Sequence, residues 1–91
     1  MDKRDAEYTQ ARIDLLEEML KAGAFDMDED TRGSFIASAV RQLQARYRSL
    51  DEPLWKKLIG NAKTAVYGDA TLAVAARRGR GPAPGAEAGA P

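Results

Sequence analysis

Apolar side chains recur every three or four residues through most of this chain, a period that predicts helices rather than strands. Over residues 2–22, a turn of ~100° per residue gathers Tyr8, Ala11, Arg12, Ile13, Leu15, Leu16, Met19, Leu20 and Ala22 onto one arc. Glu7, Gln10, Asp14, Glu17, Glu18 and Lys21 fall on the opposite, solvent side. The arc covers roughly half the circumference, wider than the ~100° stripe of a helix lying on one neighbour. Such a helix is wedged between two partners or shared with a second copy. Leu16 lies inside the arc and Leu15 at its edge, so Leu15→Asp is expected to alter association rather than folding. Gly23 is a suitable C-terminal stop.

Residues 24–31 form a connection in which Phe25 and Met27 point inward and the last acid, Asp30, caps the next helix. Asp26, Asp28 and Asp30 alternate like the first three ligands of a calcium loop. Such a loop needs Gly at its sixth position and a bidentate Glu at its twelfth, and here these are Thr31 and Ala37. Calcium is therefore not expected.

A second helix is predicted over 31–49, with Phe35, Ile36, Ala39, Val40, Leu43, Tyr47 and Leu50 on one face. Gly33 weakens its first turn, which makes Ser34 an alternative N-cap. The third helix, 51–67, has the clearest start. Asp51 is the cap, Glu52 meets the positive end of the dipole, and Pro53 sits where a missing N–H costs nothing. Leu50 and Trp55 flank that cap as a hydrophobic staple, which makes the chain's single Trp a core anchor. Leu58, Ile59, Ala62, Ala65 and Val66 continue the stripe. The helix is expected to run through Gly60-Asn61 and stop at Tyr67-Gly68. A short fourth helix, 69–77, capped by Asp69, forms only if Leu72 and Val74, or Ala76, find a surface. A short strand is the alternative there. Residues 79–91 have no large apolar residue and read as a disordered tail. The fold class is all-α: a three-helix bundle over 1–78 with a short fourth helix.

Composition removes most chemistry. The 91 residues include no Cys and no His, hence no disulfide, no thiolate, no imidazole ligand and no Ser–His or Cys–His pair. The carboxylates of the first helix lie on its solvent face, where pKa values stay ordinary. An enzyme, a metal site and a cofactor are not expected. No run approaches the ~20 apolar residues of a membrane span, and the charged start lacks a signal-peptide apolar region, so the expected location is cytoplasmic.

Charge adds one feature. The formal net charge is zero, yet residues 1–30 carry ten acidic and four basic side chains, and residues 31–80 carry three acidic and ten basic. The two halves can attract each other within one fold, or the basic half can face an external anion.

The resulting expectation is a non-catalytic protein-interaction module: an adaptor, accessory subunit, inhibitor or regulator of a larger protein. Tyr8, Arg12, Leu15, Met19 and Phe25 are the candidate interface, and a homodimer through the first helix is compatible with it. The alternative is a small, dimeric nucleic-acid-binding regulator. Its contacts to phosphate, or to an acidic partner, would come from Arg41, Gln44, Arg48, Lys56, Lys57, Lys63, Arg77 and Arg78. The acidic start of the third helix counts against it.

Overall fold

The computed structural model describes residues 3–79, and its first and strongest feature is a helix enclosed on three sides. This helix, α1 (Lys3–Ala22), is followed by a single 3₁₀ turn (Ala24–Asp26), α2 (Glu29–Arg46), α3 (Glu52–Thr64) and α4 (Tyr67–Gly79). No strand occurs among the described residues. The expected tail lies outside them, apart from Gly79, which closes α4.

The broad apolar arc of α1 is accounted for within one chain, because α2, α3 and α4 all pack against it. Leu15 and Met19 on α1, Ile36 on α2 and Leu58 on α3 are the largest fully buried side chains. Leu15 is 1% exposed, so its expected place at the edge of the arc is corrected to the centre of the core. The face bearing Asp14, Glu17 and Glu18 is corrected too. Of the three only Glu18 is exposed, and the Asp14 side chain keeps 11% of its surface.

Gly23 ends α1 in the left-handed region at φ 71, the only positive φ among the described residues. The N-cap of α2 is Asp28, not Asp30 or Ser34. Its carboxylate accepts the Thr31 N–H at 2.7 Å, and Asp30 becomes a first-turn acid that complements the dipole. α2 ends at Arg46, short of the expected Ser49. The hydroxyl of Tyr47 is drawn to Asp14, and Ser49 gives both its N–H and its hydroxyl to Glu7.

α3 begins as expected. Asp51 accepts the Leu54 N–H at 3.3 Å, Leu50 and Trp55 are both buried, and the indole N–H of Trp55 donates to the Leu50 carbonyl at 3.2 Å. The helix runs through Gly60 without a break and then stops at Thr64, earlier than the expected Tyr67. Tyr67 and Gly68 are instead the first turn of α4, which is longer than expected and integral to the fold. Ala70 and Val74 are buried on its inner side, while Leu72 and Ala76 point outward.

Candidate functional site

The five residues of the expected interface do not form a surface. Leu15 and Met19 are interior. Arg12 is half-buried beside Leu15, Leu16, Leu58 and Ala62, around a gap of only about 10 Å³. Tyr8 is half-buried as well. Its hydroxyl accepts from the Asn61 amide at 3.1 Å, and the Lys57 ammonium lies 5.7 Å from its ring centroid. Phe25 meets Tyr67 edge to face, with ring centroids 6.0 Å apart. Helix α3 and the start of α4 thus occupy the face that sequence reasoning left open to a partner.

The basic set divides. Arg41 and Gln44 are exposed on one side of α2, while Arg48, expected to extend that strip, lies exposed in the turn beyond the end of α2 at Arg46. Neither Arg41 nor Arg48 has an ion-pair partner among the described residues. Lys56 pairs with Glu52 one turn earlier at 3.7 Å, and Lys57 lies on Tyr8. Lys63 lines a shallow hollow with Glu29 and Asp30 at the start of α2. Arg77 is turned toward α1, where it pairs with Asp14 and Glu17. The side chain of Arg78 lies outside the described ones.

Arg77 belongs to a cluster that sequence reasoning missed. Asp14 on α1 accepts hydrogen bonds from Gln10 at 3.2 Å, from Arg46 at 3.2 Å, from the Tyr47 hydroxyl and from Arg77. Arg77 also reaches Glu17 at 3.3 Å. Burial pushes the Asp14 carboxyl upward, but donation from Tyr47, Arg77 and Gln10 outweighs it and holds the group below its ordinary value. Burial raises the Tyr47 phenol, and its bond to Asp14 raises it further. Both Arg46 and Arg77 are held more firmly charged, Arg46 first by Tyr47 and Arg77 first by Asp14. The one advance signal was the segregation of charge, since the ion pairs of Arg46 and Arg77 with Asp14 and Glu17 join the basic second half to the acidic first.

A cleft of about 250 Å³ opens beside this cluster, with Phe35, Ala39 and Leu43 along α2 and Glu17 and Glu18 along α1. Asp14 lines this cleft too, and its carboxylate already receives four donors. Among the described residues no group of three or more acids is placed to hold a metal ion. No described helix is long and apolar enough to cross a membrane.

The exposed apolar surface lies elsewhere. Val66, Tyr67 and Leu72 are the large hydrophobic side chains left in solvent, and Leu72 is 70% exposed. On α4 the inner face holds Ala70, Ala73, Val74 and Arg77. Gly68, Leu72, Ala75 and Ala76 form a second face at helical spacing, all exposed. From Ala70 to Ala76 the only polar side chain is Thr71. Helix α4 is covered chiefly by α1, which leaves this outer face, with the exposed Asp69 beside it, in solvent. Comparison with protein-family models, with curated proteins and with solved structures finds no match to this chain.

Proposed function

We propose that the protein is a non-catalytic interaction module that binds a larger protein through the outer face of α4. The observation that carries this reading is Leu72, 70% exposed on a helix whose opposite face is already buried. Exposed apolar side chains in register with small residues are what a partner's apolar groove or helix accepts. The saturated state of Asp14 and the absence of Cys and His support a role without chemistry. Regulator, inhibitor and accessory subunit are all jobs that such a surface serves, and a cytoplasmic setting suits a chain without cysteine. The test is retention of a native partner on immobilised protein. Wild type and the Arg41→Glu/Arg48→Glu variant retain it, and Leu72→Glu loses it while melting at the same temperature. Equal retention by Leu72→Glu refutes the reading.

A second reading rests on Arg41 and Gln44, exposed on α2, and Arg48, exposed in the turn that follows it. These side chains would track a phosphate backbone. Binding to random duplex DNA that falls steeply with rising salt is its signature, and no binding at ~50 mM salt removes it.

A further inference from the structure

The corner between α3 and α4 falls at Ala65–Val66, ahead of the Tyr67-Gly68 stop that the sequence predicts. Ala65 and Val66 separate the two helices, and neither is Gly or Pro. Ala65 is extended at φ −67, ψ 147, which any residue adopts. The apolar stripe of α3, through Leu58, Ile59 and Ala62, continues at helical spacing into Ala65 and Val66. Nothing at Ala65–Val66 itself stops α3, and although Gly68 and Asp69 read as a stop and a cap, the apolar pattern is compatible with one straight helix from Glu52 to Gly79. At the corner the chain closes with makeshift bonds instead. The Ala65 N–H reaches the Ala62 carbonyl at 3.3 Å, one residue short of helical pairing, and the Thr64 hydroxyl serves the Gly60 and Asn61 carbonyls at 3.2 Å each. Straightening would restore regular bonds from Ala65 through Asp69.

What folds α4 back lies entirely beyond the corner. Ala70 and Val74 are buried on α1, Tyr67 meets Phe25, and Arg77 grips Asp14 and Glu17. None of these contacts needs both partners to be in one chain. We propose that α4 exchanges between two copies of this chain. Ala65–Val66 straightens, and each α4 docks on the other copy's α1 with the same apolar and ionic contacts. The copies are related by a two-fold axis, as reciprocal exchange requires. The occupant of the vacated seat is fixed by complementarity: a two-acid anchor beside an apolar strip, matched by Ala70, Val74 and Arg77 of an identical helix. Because the short link gives the closed form a high effective concentration, exchange appears on refolding concentrated protein. This inference is independent of any contact made by the outer face of α4.

Two variants and one mixture test it, read by size-exclusion chromatography with light scattering after refolding. Wild type gives monomer and a concentration-dependent dimer. Val66→Pro suits the closed form, since Ala65 already holds the extended backbone that a following proline imposes. It forbids the straight helix and weakens dimerisation by roughly a hundredfold. Val66→Ala, a better helix former, strengthens it. Asp14→Arg and Arg77→Asp each place like charges at the clamp of a closed monomer. Mixed, they satisfy both clamps only across two chains, so a one-to-one heterodimer forms that neither makes alone. A wild-type dimer unaffected by Val66→Pro, a dimer abolished by Leu72→Glu, or a charge-reversed mixture that stays monomeric overturns the proposal.

Discussion

Arg77 near the end of α4 donates to Asp14 in the middle of α1, across 63 residues of sequence. The same carboxylate takes the Tyr47 hydroxyl and the Arg46 guanidinium from the end of α2 and just beyond it. One short side chain thus ties α1, α2 and α4 together, and most of its surface is out of water. Asp14→Ala is expected to cost about 1.5–3 kcal/mol, the range for hydrogen bonds to a charged group. Arg77→Ala should cost less, because a third of its side chain faces solvent. Urea unfolding of both variants and the double variant measures this. Strict additivity would show that the two groups do not act as a unit.

Acid should loosen the fold through the same residue. The Asp14 carboxyl is held below its ordinary 3.8, so its full stabilisation is present above that value and is lost as pH falls through the depressed one. Glu7, lowered chiefly by the Ser49 hydroxyl, and Asp28, lowered by the Thr31 N–H, respond in the same direction. The part due to Asp14 is therefore read as a difference. Between pH 5 and pH 2, wild type should lose more stability than Asp14→Asn, and parallel curves would refute the assignment. At the alkaline end Tyr47, whose phenol is raised, stabilises the fold below its ordinary 10.0 and less as pH climbs through its raised value.

Leu15 and Leu72 carry the same side chain in opposite settings, and their alanine variants should separate cleanly. Leu15→Ala empties a fully packed position and should cost about 2–5 kcal/mol. Leu72→Ala should stay within about 0.5 kcal/mol, as for ordinary surface positions. The single Trp, buried at position 55, supplies the fluorescence signal for both unfolding curves.

The glycines make a second contrast. At Gly23, φ 71 imposes a strain of about 1–2 kcal/mol on any residue with a Cβ, so Gly23→Ala should destabilise. Gly60 lies inside α3 with open space where a Cβ would project, so Gly60→Ala should stabilise by about 0.5–1 kcal/mol. Thermal melts of the two variants should shift in opposite directions.

The helices were legible because their signals are local. The Asp51-Glu52-Pro53 start, the Leu50–Trp55 staple and the Gly23 stop each rest on residues within one or two turns. The apolar arc of α1 was legible as well, but not what covers it. Much of its cover comes from α4, whose inner face offers only Ala70, Ala73 and Val74 as apolar side chains, too small to show as a strong stripe. The exposed Leu72 on the opposite face hid the phase. The end of α3 was misread because neither Ala65 nor Val66, where the chain turns, carries a stop signal, while Gly68 three residues on does. The Asp14 cluster needed tertiary proximity that no spacing reveals. Charge segregation gave its sign but not its members.

Docking of α4 on α1 also fixes an order of events during synthesis. The α1 segment leaves the ribosome first, and the segment bearing Arg77 follows only after α2 and α3 have been made. Closing the 63-residue loop between Asp14 and Arg77 therefore comes late, and until then nascent α1 is a helix with an unclaimed flank. A chaperone or a neighbouring nascent chain has that interval in which to occupy it.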